Sequence, residues 1–109
     1  MSTITTHVLD TVLGKPAVGI SVWLEKQKDR GWLAVGAGIT DADGRSRNLV
    51  QSAEEGIYRL TFATGDYFAR SGRSSIYPEI AITFICGSDA HYHMPLLLSD
   101  NSYTTYRGS

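Results

Sequence analysis

The chain has 109 residues, 42% of them hydrophobic and 19% charged, with a formal net charge of −1. That length suits one domain with one core, and a near-neutral balance supplies no basic field for nucleic acid or an anionic membrane. The single cysteine, Cys86, excludes an internal disulfide framework and a cysteine-rich zinc site.

The chain opens without a basic stretch followed by an apolar core, so Met1–Thr6 carries no export signal and the expected location is cytoplasmic. No apolar run approaches the roughly 18 residues of a membrane span. The first β-prone run is Thr5–Asp10, closed by the turn signal Gly14-Lys15-Pro16. Val18–Leu24 follows, ended by the mixed-charge stretch Glu25–Arg30, which reads as a solvated loop. Trp32–Thr40 is a weaker strand interrupted by Gly36 and Gly38, and it runs into the turn Asp41-Ala42-Asp43-Gly44. Over Ile57–Phe62 the side chains alternate, with Tyr58, Leu60 and Phe62 on the apolar face. Thr64–Gly72 predicts the only helix, with Thr64 or Asp66 as its cap and Gly72 as its stop. Ile80–Cys86 is apolar at almost every position, as in a strand buried on both faces, with Cys86 as a small core residue. His91–Leu98 and Tyr103–Gly108 are the last two strands. Seven or eight short strands at this spacing predict an all-β sandwich.

Chemistry-bearing residues concentrate at the two ends of the chain. His7, His91 and His93 are the only histidines. The i, i+2 spacing places His91 and His93 on one face of a strand and Tyr92 on the other. Imidazole titrates near neutrality, so a cluster of histidines can move protons at cytosolic pH. Arg45 directly follows the Asp41–Gly44 turn; it is either a solvated hairpin residue or a cation aimed at an anion or developing oxyanion. The terminal run Tyr103–Ser109 has two tyrosines and an arginine where chain ends are usually featureless. There is no nucleophile elbow, phosphate-binding glycine loop or dinucleotide fingerprint. Three histidines could also hold zinc, as three-histidine catalytic sites do, but the sequence has no fourth histidine to support such a set.

These residues carry a resemblance. His7-Val8-Leu9-Asp10-Thr11 with Gly14-Lys15-Pro16-Ala17, then Thr40–Arg45, then His91–Ser99, and finally Tyr103–Ser109 resemble the four motifs of the transthyretin-related 5-hydroxyisourate hydrolases. The terminal Tyr106-Arg107-Gly108-Ser109 is the motif that separates these enzymes from transthyretin, the hormone carrier of the same fold. The resemblance implies a sandwich of two four-stranded sheets with one short helix, in a homotetramer whose active sites lie between dimers. It implies hydrolysis of 5-hydroxyisourate in urate breakdown, without a cofactor. His7, Arg45 and His93 would be catalytic, and His7, Arg45, His91, Tyr106 and Ser109 would bind substrate. A tetramer would also cover the apolar surface of Met94-Pro95-Leu96-Leu97-Leu98. The alternative is a carrier of small ligands without turnover.

Overall fold

The computed structural model describes residues 1–108, leaving aside the side chain of Asn48. Nine strands and one helix follow in order: β1 (Ser2–Asp10), β2 (Lys15–Pro16), β3 (Ser21–Lys28), β4 (Gly31–Ile39), β5 (Arg45–Ala53), β6 (Gly56–Phe62), α1 (Thr64–Arg70), β7 (Ile80–Cys86), β8 (His91–Ser99) and β9 (Ser102–Thr105). One sheet runs β2-β1-β8-β9, with β5 also pairing β1; the other runs β4-β3-β6-β7. Apart from the two-residue β2, each sheet has four strands, as expected.

Period-two patterning builds the sandwich. In β1 every even residue from Ser2 to Asp10 is buried, and the odd ones face outward. Val8, Leu24, Leu60, Phe62, Leu96 and Leu98 are among the side chains that fill the space between the sheets. Pairing is antiparallel except between β1 and β8, which run parallel with Thr3 opposite His91, Thr5 opposite His93 and His7 opposite Pro95. The outward faces of these two strands therefore hold threonines and histidines in matched rows.

Four expectations need correction. Glu25–Lys28 is not a loop but the second half of β3, because its residues pair across to both β4 and β6 and only Asp29 and Arg30 turn the hairpin. Arg59 reaches over to Glu25, with Nη2 to Oε1 at 2.8 Å. β7 is an edge strand with one open face, so Ile85 is 76% exposed even though Cys86 is buried. Met94, Leu96 and Leu98 pack inside the sandwich and leave no surface for a neighbour to cover. The helix starts at Ala63 without a side-chain cap, and the Thr64 hydroxyl is buried with no hydrogen-bond partner. Its stop holds: Gly72 has φ +69°, a left-handed conformation that glycine adopts at little cost.

Gly36 explains an interrupted strand. A Cβ there would lie 1.8 Å from the Leu49 carbonyl oxygen, so β4 and β5 can close one side of the sandwich only if the residue has no side chain.

A buried polar knot ties the far end of β1. Asp10 is fully buried, and its Oδ2 accepts from Arg73 Nη1 at 2.5 Å and from the Tyr67 hydroxyl at 2.7 Å. Its Oδ1 accepts from the backbone N–H groups of Val12 and Leu13. Arg73 also binds Asp100 and lies over the Phe68 ring. Burial pushes the Asp10 carboxyl up, but the hydrogen bonds from Arg73, Tyr67 and Leu13 outweigh it and hold the group below its ordinary 3.8. Burial, followed by the bond to Asp10, pushes Tyr67 up to about 12.

Candidate active site

Arg45 owes its place to the turn before it. Oδ1 of Asp41 accepts the backbone N–H groups of Asp43 at 2.9 Å and Arg45 at 3.0 Å, an aspartate-closed turn. Those bonds, the Arg45 one foremost, hold the Asp41 carboxyl below its ordinary value. Gly44 at φ +76° brings the chain against β1, where a Cβ would stand 2.4 Å from the Val8 carbonyl oxygen. The turn therefore delivers Arg45 directly opposite His7. Beyond Ser46 the β1–β5 register slips, so the stretch that carries Arg47 bulges away from β1.

His91 and His93 come from β8, on the other side of β1. The imidazole of His93 lies 6.5 Å from that of His7 and 6.3 Å from that of His91, centroid to centroid. His91 is exposed, whereas His7 and His93 are half-buried. Thr5 Oγ1 stands 2.8 Å from Nδ1 of His93 and 3.3 Å from Nε2 of His91. Thr3 Oγ1 is hydrogen-bonded to Nδ1 of His91. A cleft of about 440 Å³ opens here, lined by Thr5, Thr6, Arg45, Arg47, His91 and His93, with His7 on its flank.

None of the cleft's lining residues is a carboxylate. Burial, and then the charges of Arg45, His7 and His91, hold His93 below its ordinary value of 6.5. The imidazole is thus kept neutral and able to accept a proton. A larger cavity of about 580 Å³ lies at the other end of β5, among Lys26, Leu33, Val50 and Tyr58. It gathers no histidine, and two of its polar groups are already engaged: Lys26 Nζ is 3.4 Å from Glu54 Oε2, and the Tyr58 hydroxyl donates to the Glu54 carbonyl oxygen. Chemistry therefore favours the smaller cleft. Among the described residues, no group of three His, Cys, Asp or Glu is placed to hold a metal ion.

Tyr103–Gly108 is tied back to β8, for a reason that involves Pro95. In the β8–β9 register Leu96 pairs with Thr105 and His93 with Gly108, which sets Pro95 opposite Tyr106. A proline has no N–H to give at that point, and the Thr105 hydroxyl takes up its carbonyl instead, at 2.8 Å. β9 therefore ends at Thr105, and the chain rejoins β8 at Gly108, whose N–H donates to the His93 carbonyl at 2.8 Å. Arg107 anchors the return on Asp89 Oδ2 at 3.0 Å and over the Tyr92 ring at 4.3 Å. A Cβ on Gly108 would lie 2.7 Å from Cδ2 of His93, so only glycine lets the terminus rest on the imidazole.

Of the residues named from sequence, His7, Arg45, His91 and His93 come together. Tyr106 does not join them: it is 53% exposed and does not line the cleft. Ser109 lies outside the described residues. Thr5 and Arg47 were missed, although each shares a strand face with a residue already singled out, Thr5 with His7 and Arg47 with Arg45.

A family model described as the HIUase/Transthyretin family matches residues 4–108. The 5-hydroxyisourate hydrolase of Salmonella dublin is 47% identical over 106 residues, covering 94% of this chain and 78% of that protein. The solved 5-hydroxyisourate hydrolase of Klebsiella pneumoniae has 37% identity and a TM-score of 0.91, with each chain fully covered. Transthyretin from Sparus aurata has a TM-score of 0.93 at 29% identity, covering 99% of this chain and 97% of its own. The fold is thus common to a 5-hydroxyisourate hydrolase and a transthyretin, and the chain belongs to the HIUase/Transthyretin family.

Proposed function

We propose that this single-domain chain is a 5-hydroxyisourate hydrolase, opening the oxidised purine ring to 2-oxo-4-hydroxy-4-carboxy-5-ureidoimidazoline. The observation that carries the reading is a cleft lined by His93 and Arg45, with His7 on its flank, which gathers residues of three strands and has no carboxylate in its lining. Such a site suits a planar, carbonyl-rich, readily anionic ring. In this reading a neutral imidazole, His93 or His7, takes a proton from water as its oxygen attacks a ring carbonyl. The Arg45 fork meets the oxyanion that forms, and the proton then passes to the departing ring nitrogen. No cofactor is required. The active assembly is a homotetramer with Tyr106 and Ser109 completing the site near a subunit contact, and its home is the cytoplasm. The exposed Ile85 on β7 and Val12, Leu13 and Val18 around β2 offer apolar surface for such contacts.

A ligand carrier of the transthyretin kind is the other reading, and an apolar channel would favour it. Here the cleft is cationic. The deciding experiment follows the ultraviolet decay of freshly generated 5-hydroxyisourate. The hydrolase accelerates the decay, and Arg45→Gln lowers that acceleration by about 10²–10³-fold, the usual loss for an oxyanion donor. A decay no faster than in buffer, together with ligand binding that tolerates Arg45→Gln, would establish the carrier.

A further inference from the structure

The hydrolase reading leaves one hydroxyl unused. Thr5 stands between two imidazoles, 2.8 Å from Nδ1 of His93 and 3.3 Å from Nε2 of His91, and Thr3 closes the row on Nδ1 of His91. The parallel register of β1 and β8 creates this line, because it sets Thr3 beside His91 and Thr5 beside His93. In an antiparallel pair the two rows would run in opposite senses and the chain of contacts would not step the same way.

A threonine hydroxyl has one proton and two lone pairs. If both contacts are hydrogen bonds, Thr5 donates to one ring and accepts from the other. The protons of the row are then correlated. With Nδ1 of His93 donating to Thr5, the Thr5 proton points to Nε2 of His91, and Nδ1 of His91 donates to Thr3. Nε2 of His93 is then the free basic nitrogen. We propose that Thr5 is a positioning residue for the hydrolase reaction, holding His93 in this tautomer and joining it to His91 so that His91 stores the proton taken from water.

The bookkeeping of protons closes. As Nε2 of His93 takes a proton from the attacking water, its Nδ1 proton passes to Thr5 Oγ1, and the original Thr5 proton passes to Nε2 of His91. His93 is again neutral, now protonated on Nε2, and His91 is the cation. When His93 gives its Nε2 proton to the departing ring nitrogen, the two transfers run backward. The proton of water thus ends on the leaving nitrogen and every residue returns to its first state.

Charge placement supports the direction. A cation on His93 would be half-buried and faced by His7 on β1, Arg45 and Arg47 on β5 and His91 on β8, with the Gly108 backbone packed on the ring. Asp41 is 3.7 Å from Arg47 and is engaged in its own turn, and Asp89 is taken up by Arg107. Moving the charge one residue pair outward puts it on exposed His91, where water screens it. His91 thereby acquires a role distinct from that of His93.

This inference rests on the hydrolase reading for its kinetics but not for its proton arrangement, and the experiment separates the two. Thr5→Val removes the hydroxyl at nearly constant volume, and Thr5→Ser keeps it. Nitrogen-15 NMR of the ligand-free protein reads the tautomer and titration of each imidazole; the pH dependence of 5-hydroxyisourate hydrolysis reads catalysis. Wild type and Thr5→Ser should hold His93 with the proton on Nδ1, and His91 and His93 should titrate as a coupled pair. Thr5→Val should mix the tautomers, uncouple the two titrations and lower kcat with little change in KM, by about ten- to a hundredfold as when other partners that orient an imidazole are lost. An unchanged tautomer and pH profile in Thr5→Val would overturn the proposal. A wild type without turnover would remove the hydrolase reading alone, and the NMR comparison would still decide the role of Thr5.

Discussion

Two polar clusters sit three residues apart on β1, on opposite faces, and they are built on opposite rules. At Asp10 the carboxylate is enclosed, and Arg73, Tyr67 and two backbone N–H groups meet its lone pairs. At His7 the face is open, and the cleft's lining residues carry cationic groups and no carboxylate. A satisfied cluster has nothing left to offer a ligand and serves the fold. An uncompensated one is held in place by the fold and is completed by what binds to it. Both use buried or half-buried ionisable residues, so burial alone does not separate structure from function; the balance of charge does.

The comparison can be broken at each cluster. His93→Ala should lower kcat/KM for 5-hydroxyisourate by about 10²–10⁴-fold, the usual worth of a positioned proton-transfer group, and leave the unfolding midpoint nearly unmoved. Equal loss in activity and stability would make the cleft a second structural knot. Arg73→Ala should do the reverse. It strands a buried carboxylate and should cost about 3–5 kcal/mol of stability in urea unfolding, with the surviving folded fraction still active. A stability loss below 1 kcal/mol would mean the ion pair behaves as if it lay in solvent.

The smallest effect distinguishes the clusters by pH. His93 in the folded chain binds a proton less readily than an ordinary histidine does. The unfolded chain therefore takes up more protons below pH 6.5, and the folded state loses stability as pH falls from there toward the lowered value. Asp10 follows the same sign in a lower window: its contribution is complete above pH 3.8 and disappears as pH falls through its lowered folded value. The acid limb of kcat/KM should accordingly lie below pH 6.5, well above the acid unfolding of the knot. An acid limb at or above 6.5 would show that the cationic neighbours do not act on the catalytic imidazole.

How much of this was legible in the sequence follows from what each inference needed. Alternation within one strand put His91 and His93 together, and turn chemistry put Arg45 at a strand start, because both are local. Thr5 was not legible, since its importance depends on standing beside His93, 88 positions away. The open face of β7 was hidden because an edge strand and a central strand can share a composition; only sheet order tells them apart. Glu25–Lys28 misled for a related reason. A strand near a hairpin tip can be charged when its partners, such as Arg59, are charged too. The single helix was legible locally, from Thr64 to Gly72, whereas the two four-strand sheets came from motif resemblance, which carries non-local information that propensity lacks.

The parallel contact between β1 and β8 also sets when the site comes into being. His7 and Arg45 are present once less than half of the chain has been synthesised, but they have no His93 to work with until the eighth strand has been made and inserted beside the first. Contacts of such long sequence separation pay their loop-closure entropy before they are rewarded, so they are late events in folding. The chemistry is therefore tied to the final closure of the sandwich: a nascent or half-folded chain exposes histidines but has no cleft, and recovery of activity on refolding is a clock for the joining of the chain's two ends.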